Sequence, residues 1–441
     1  MTRIGFAYNQ KPELDAPLDE SSTPDEEPPS IGRDERSRLP HAPAARTRAG
    51  GGSASSTIGA LAPARSRGAS PARPAADDDE YAEWDSPETI DAVAAALGGL
   101  GEVVRLEATR DFPERVREAD VDIVFNMAEG LRGVNREAHV PAICEFYGIP
   151  YSGSDPFTLS LCLDKRRTKE ILSYHGVPTA EFAVVEGMED LSGSGDRPGT
   201  GDRRAESGIA TRVADPRSLL PSRSLVPTPS SPLFVKPLHE GSSKGITEKN
   251  LVRSPDELRR QVAFLLESYE QPVLVERFLP GREFTCAVLG NGREARVLPL
   301  VGMNFDALPD GALPIYGYEA KWVWDTREDP LPIFECPARI DDGLRESIVD
   351  VVLHAYRVLG CRDWSRIDVR LDADGTPNVV EVNPLPGILP DPADNSCFPK
   401  AARAAGMSYD ELIQSCLRHA AARLAVPLSA PRRTRVRRSV A

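Results

Sequence analysis

Hydrophobic and polar positions change rhythm several times along the chain, and each rhythm predicts an element. Ile4 to Tyr8 is a short apolar run and predicts a first strand. From Ser86 to Leu97 the apolar positions recur at helical spacing. Glu102 to Leu106 alternates as a strand does, and Val121 to Phe125 is a continuous apolar run suited to a buried strand. Ala138 to Tyr147 reads as a helix closed by Gly148. This strand–helix–strand order predicts a parallel α/β sheet in the first third of the chain. Asp155-Pro156 then supplies an N-cap and a first-turn proline for a helix ending near Gly176. Strands are predicted at Leu233 to Val235, Val273 to Glu276, Ala287 to Leu289 and Ala295 to Val301. A helix runs from Asp341 to Leu359 and stops at Gly360.

Two stretches carry neither rhythm. From about Glu13 to Glu80, and again from about Leu191 to Ser231, the chain is rich in Pro, Ser, Gly, Arg and Asp. Such segments bury too little apolar surface to offset the entropy of ordering, and are expected to be disordered insertions in a folded core. The end, PRRTRVRRSVA, is a basic tail expected to be solvated. Composition narrows the function. The 441 residues include 53 basic and 67 acidic ones, a net charge of −14, so nonspecific nucleic-acid binding is not expected. The seven cysteines are scattered, odd in number and never in a CxxC pair, which fits free thiols in a reducing cytoplasm. The start lacks a signal-peptide pattern, and no stretch approaches the ~18 apolar residues of a membrane span. The expectation is a soluble cytoplasmic protein with no membrane or nucleic-acid partner.

The densest chemistry lies in Ser365 to Pro384, SRIDVRLDADGTPNVVEVNP. Ile367, Val369 and Leu371 alternate before Asp374-Gly375, and Val380 and Val382 alternate after it. Asp374-Gly375 is a two-residue hairpin signal. With that loop Asp368 faces Glu381 and Arg366 faces Asn383, all four on the face opposite the apolar one. Two carboxylates across a strand pair repel, and a cation between them removes the repulsion. Two acids and an amide oxygen without His or Cys suit a hard ion, Mg²⁺ or Mn²⁺, of the kind that also holds phosphates. Arg366 on the same face can neutralise a developing oxyanion. A charged solvent-facing hairpin is the plain alternative.

Three further stretches support this reading. In FVKPLHEGSSKG a strand delivers Lys236 to a Gly/Ser-rich loop, Glu240-Gly241-Ser242-Ser243-Lys244-Gly245, whose backbone N–H groups can wrap anionic oxygens. It lacks the Walker pattern. In VLVERFLPGRE a strand ends in Glu276, with Glu283 further on. Such a segment can present backbone groups to an adenine edge and a carboxylate to a ribose. Lys165, in LDKRRTK, gains weight only from this company.

Together these stretches resemble the ATP-grasp superfamily, and within it the D-alanine–D-alanine ligases. The motifs VFNMAEG, GIPYSGSD, LDKRRTK, VKPLHEGSSKGI, VERFLPGREFT, YGYEAKW, SRIDVRLDADG and EVNPLPG occur in the family's order between about Asp120 and Leu424. The resemblance implies a three-domain α/β ATP-grasp architecture. An N-terminal parallel-sheet substrate domain (1–164) would precede central (165–283) and C-terminal (284–426) α+β ATP-grasp subdomains, followed by the tail (427–441). Carried over by motif, Lys165 and Lys236 contact ATP phosphates, and Glu240, Gly241 and Ser243 belong to the loop over them. Glu276 accepts from the adenine amino group, Leu279 offers its backbone and Glu283 binds ribose. Asp368, Glu381 and Asn383 hold two Mg²⁺ ions. Lys321 closes on the phosphates, while Arg366 and the Gly387 backbone stabilise a tetrahedral intermediate. The implied reaction joins amino-acid or peptide substrates through an acylphosphate, in cell-wall (peptidoglycan) precursor synthesis. A homodimer is expected by analogy.

Departures from the family fall on the amino-acid side. The family's GGxSxE-type stretch after the first strand is missing, with Glu13 the nearest acid. HGxxGEDG becomes a longer stretch from Glu129 to Glu137 without its His. Trp322 stands where the family has an active-site Tyr that works with the loop Ser, here Ser242. The Ser-Leu that takes the second substrate's carboxylate corresponds best to Ser396-Cys397. A ligase using another amino acid or peptide is therefore the near alternative. A non-catalytic ATP-binding module and a kinase are the distant ones.

Overall fold

The computed structural model describes residues 1–12, 81, 83–191, 228, 230–241, 243–317, 319–325 and 330–428, with only the backbone at Trp322 and Val323. Nearly all of both expected insertions, most of the basic tail, Glu13 and Ser242 lie outside the described residues.

The first strand, β1 (Arg3–Tyr8), is followed by α1 (Pro87–Gly98), where Ser86 caps the first turn by accepting from the Thr89 N–H. Next come β2 (Glu102–Glu107), α2 (Phe112–Glu118) and β3 (Ile123–Asn126). Both strands pair with β1 in parallel, giving the expected α/β sheet in the order β2-β1-β3. α3 (His139–Tyr147) ends, as expected, at Gly148, whose φ of +69° only glycine adopts without strain.

The single helix expected to end near Gly176 is two. α4 (Pro156–Leu163) stops where Asp164 turns extended, and α5 (Lys165–Tyr174) starts at once. The Asp164 carboxylate accepts from the Arg167 N–H at 3.0 Å, so it acts as an N-cap rather than a mid-helix residue. The break places Lys165 at the first position of α5.

The middle of the chain builds an antiparallel sheet of β4 (Phe182–Val185), β5 (Leu233–Pro237), β6 (Leu251–Val252) and β7 (Val273–Arg277), ordered β4-β7-β5-β6. The amphipathic helix α6 (Pro255–Tyr269) covers it through Leu258, Val262 and Leu265. A larger antiparallel sheet follows, with β8 (Glu283–Leu289), β9 (Arg296–Val297), β10 (Val301–Met303), β11 (Phe334–Glu335), β12 (Trp364–Leu371) and β13 (Pro377–Asn383). The continuous strand expected from Ala295 to Val301 is interrupted between β9 and β10, where Pro299 has no N–H to give a ladder. α7 (Asp342–Val358) packs Ile348, Val352 and Ala355 on this sheet.

The chain closes with α8 (Cys397–Ala404) and α9 (Tyr409–Leu424), which share one core with β1, β3, α1 and Trp364. Polar bonds pin the same junction. Fully buried Asp363 accepts from the Gly153 N–H at 2.9 Å, from Asn291 at 2.8 Å and from Arg423 on α9 at 2.8 Å. A buried carboxylate is tolerated because every lone pair has such a donor.

The β12–β13 hairpin keeps the expected pairing where the chemistry lies: Arg366 opposite Asn383, and Asp368 opposite Glu381. Its turn differs. The loop is the three residues Ala373-Asp374-Gly375, closed by the Asp372 N–H donating to Thr376 O at 3.0 Å, with Gly375 at φ +82°. That loop would put β13 one residue out of step. A bulge at Val380 restores the register, since Val369 pairs Val379 while Asp368 pairs Glu381.

Candidate active site

The three sheets frame a cleft of about 380 Å³. The apolar face of β12–β13, carrying Ile367, Val369, Val379 and Val382, is buried against α7. Alternation therefore presents Arg366, Asp368, Glu381 and Asn383 to the cleft. Arg366 Nη2 lies 3.1 Å from Asp368 Oδ2, and Asn383 donates to the same oxygen at 3.5 Å. Asp368 Oδ1 is buried without a hydrogen bond. Burial pushes the Asp368 carboxyl up to about 6, against the pull of Arg366 and with the help of Glu381 and Glu283. An orphaned buried oxygen facing a second carboxylate, in an all-oxygen donor set, fits a hard divalent cation. Among the described residues no group of three or more His, Cys, Asp or Glu could hold a metal by itself. A cation here needs the Asn383 amide and oxygens of a bound phosphate as well.

Two elements bring lysines to this face. The α4–α5 break aims Lys165 at Glu381 Oε1, 2.9 Å away, and Lys165 also donates to the carbonyl of Glu240. Strand β5 carries Lys236, whose ammonium is 2.8 Å from Glu276 Oε1 on the neighbouring β7. Lys169, one helical turn beyond Lys165, is 2.9 Å from Glu276 Oε2. Burial alone would raise the Glu276 carboxyl, but these two ammonium groups outweigh it and hold it at about 2.

Leu279 lies on the segment joining β7 to β8, Glu283 opens β8, and Arg370 of β12 holds both. Its Nε donates to Leu279 O at 2.7 Å, and its Nη1 is 2.8 Å from Glu283 Oε2. The guanidinium lies 4.7 Å from the Phe278 ring centroid and 5.2 Å from that of Phe305.

Glu240, Gly241 and Ser243 of the Gly/Ser-rich loop line the cleft, and Ser243 donates to Tyr316 O at 3.2 Å. Lys321 enters from a π-helical turn, Ala320–Trp324. Burial first, then Arg366 and Lys11, pushes its ammonium down to about 8. Gly387 lines the cleft. Ser396 donates to Gly387 O and accepts from the Leu389 N–H, both at 3.2 Å. Every expected site residue whose side chain is described therefore reaches this cleft. Ser242 and the Trp322 side chain lie outside the description.

A second part of the cleft wall is acidic. Glu129 is joined there by Glu83, Asp85 and Glu137. Glu83 Oε2 pairs with Arg136 at 3.0 Å and reaches Lys244 at 3.4 Å. Glu129 and Glu137 make no ion pair within 4 Å among the described residues. Burial, then Glu137, Glu83 and Asp85, holds the Glu129 carboxyl well above its usual range, and burial pushes Glu137 to about 7. Glu13, the nearest acid to the first strand in sequence, lies outside the described residues, while Glu83 reaches the cleft. The long insertion separating Glu83 from β1 hides it. The sequence signal for Lys169 is its place one turn beyond Lys165 on α5, and for Arg370 its place two residues beyond Asp368 on β12.

A family model described as the D-ala D-ala ligase C-terminus matches residues 222–418. An uncharacterized protein, y4sG, of Sinorhizobium fredii is 33% identical over 345 residues, covering 76% of this chain and 88% of that protein. A D-alanine–D-alanine ligase of Actinobacillus pleuropneumoniae is 34% identical over 327 residues, covering 74% of this chain and 90% of the enzyme. Among solved structures, a Bacillus anthracis D-alanine–D-alanine ligase superposes with a TM-score of 0.53 at 25% identity, covering 76% of this chain and 93% of that one. The same enzyme complexed with ATP gives a TM-score of 0.51 at 22% identity, with 76% and 94% covered. With a fold of the same kind, and a third of its residues shared with relatives it spans almost whole, the chain belongs to the D-alanine–D-alanine ligase family.

Proposed function

We propose that this protein is an ATP-dependent carboxylate–amine ligase that forms a peptide bond through an acylphosphate. One observation carries the reading. Asp368 and Glu381 oppose each other on the cleft face of β12–β13, flanked by Arg366 and Asn383, and Lys165 sits on Glu381. ATP lies with its base near Glu276 and the Leu279 backbone, its ribose at Glu283 and its phosphates at Lys165, Lys236 and the 240–245 loop. Asp368, Glu381 and Asn383 would hold Mg²⁺, which supplies charge neutralisation at the phosphates. The three sheets mark three lobes, with boundaries near residues 164 and 283.

The chain's own groups account for the rest. A substrate carboxylate attacks the γ-phosphorus in line, and its new P–O bond replaces the bond to ADP. Lys321 and Lys236 balance the charge on the transferring phosphoryl group. The second substrate's amine then attacks the acyl carbon. Arg366 and the Gly387 N–H stabilise the resulting oxyanion, and phosphate leaves. Glu83 holds the first substrate's ammonium, and the Ser396 region holds the second substrate's carboxylate.

A second reading of the substrate has its own observation. Glu129 and Glu137 line the cleft without an ion-pair partner among the described residues, where D-alanine would offer only one ammonium. They favour a substrate with an additional cationic group, such as a diamino acid. The test is ADP release with ATP and Mg²⁺ across D-alanine, other D- and L-amino acids, diamino acids and short peptides. Turnover with D-alanine alone and a dipeptide product would support the first substrate. Turnover only with a diamino acid would support the second. No ADP release with any carboxylate would remove the ligase reading.

A further inference from the structure

Two lysines share one glutamate at the base end of the cleft, and they are not equivalent. The Lys169 ammonium is held in three ways: an ion pair to Glu276 Oε2 at 2.9 Å, and hydrogen bonds to Thr179 Oγ1 at 2.7 Å and Ala180 O at 3.4 Å. Thr179 in turn donates to Val379 O on β13 at 2.8 Å, so this ammonium is tied to the metal-site hairpin as well. Lys236 has one ion pair among the described residues, to Glu276 Oε1. Lys169, Lys236 and Glu276 are all more than nine-tenths buried. A buried ammonium held by an ion pair and two hydrogen bonds stays where it is. One with a single partner can move when a stronger anion arrives.

We propose that Lys169 is a positioning residue for purine recognition: it keeps hold of Glu276 Oε2 while Lys236 transfers from Oε1 to the nucleotide phosphates, leaving Oε1 oriented to accept from the adenine amino group. This rests on the reading of Glu276 as the acid that meets the base. A fixed carboxylate acceptor suits the amino group of adenine and repels the carbonyl oxygen of guanine at the same position. Lys169 thereby couples two events. Phosphates draw Lys236 away, and the same movement uncovers the oxygen that reads the base. Without Lys169 the departure of Lys236 would strand a buried carboxylate, so nucleotide entry becomes harder and the carboxylate loses its fixed direction.

The experiment compares Lys169→Met, Lys169→Arg, Thr179→Val and Glu276→Gln in the full-length enzyme. It measures KM for ATP, kcat, the ratio of kcat/KM for ATP to that for GTP, and the melting temperature. Lys169→Met is expected to raise KM for ATP about tenfold, to change kcat by less than about threefold, and to lower the ATP:GTP ratio about tenfold. Lys169→Arg recovers part of both shifts. Thr179→Val removes one of the three acceptors while keeping the charge, and shifts both readouts in the same direction by a smaller factor. It serves as the test if Lys169→Met does not fold. A Lys169→Met or Thr179→Val enzyme that melts lower but keeps the ATP:GTP ratio would overturn the proposal in favour of a purely structural lysine. If Glu276→Gln lowers the ratio while both other changes leave it intact, Glu276 reads the base without Lys169. If Glu276→Gln leaves the ratio unchanged, the base-reading role of Glu276 itself falls.

Discussion

The two ends of the cleft treat charge differently. Where the nucleotide is proposed to lie, the acids have a cation in place: Glu276 with Lys169 and Lys236, Glu283 with Arg370, Glu381 with Lys165. Where the amino substrate is proposed to lie, Glu83 is paired, but Glu129 and Glu137 have no ion-pair partner among the described residues and are held toward neutrality by burial. A pre-paired end is organised in advance for one constant ligand, and its cations need only shift to meet incoming phosphates. An end with unmatched carboxylates leaves the matching to the substrate. One departure from the family, along Glu129 to Glu137, sits on that second end.

The contrast can be broken most severely at the hairpin. Glu381→Gln is expected to lower turnover by about a thousandfold with the fold intact, because it removes one of the two opposed carboxylates. ADP release against Mg²⁺ concentration, with circular dichroism as the fold check, decides it; ordinary turnover with an unchanged Mg²⁺ dependence would defeat the metal assignment. Arg370→Met strips Glu283 and the Leu279 carbonyl of their donor. It should cost about 2 kcal/mol of nucleotide affinity, near thirtyfold in KM for ATP, while KM for the amino substrate stays put. Equal changes in both constants would mean that the two ends are not separable.

The amino-acid end offers the reciprocal change. Glu129→Gln or Glu137→Gln should shift KM for the amino substrate about tenfold and leave KM for ATP alone. A shift in the ATP constant instead would erase the division. The smallest effect is a pH dependence. Lys321 has its folded-state pKa lowered to about 8, so its positive charge is lost as pH rises through that value. KM for ATP should rise several-fold between about pH 7 and pH 9, and less in Lys321→Arg, which keeps its charge throughout. Identical profiles for the two enzymes would take Lys321 off the phosphates.

What could be read from the sequence follows from what is periodic. The cleft-facing set Arg366, Asp368, Glu381 and Asn383 was legible because a strand alternates with period two, and Arg370 was legible by the same rule though unused. Lys169 was equally within reach, four residues after Lys165 on a helix. The helix break at Asp164 was not, because an acid within a helical run reads as a surface residue until its carboxylate is seen capping the Arg167 N–H. Glu83 was hidden for another reason. It reaches the cleft only because β1 and the residues before α1 return to the same place across an intervening segment whose length carries no spacing information. Nor does a sequence announce the ion pairs at Glu276, which require three elements, α5, β5 and β7, to converge.

The three-residue turn and the Val380 bulge are two errors of one residue that cancel. If Val380 paired instead of bulging while the three-residue turn stayed, Val380, not Glu381, would lie across from Asp368, and the Glu381 and Asn383 side chains would turn to the wrong face. Tightening the turn to Asp374-Gly375 as well would bring them back. Turn length and bulge are thus a single inherited unit: neither can change without the other, and a chain from which both are absent could present the same four side chains from a tighter hairpin.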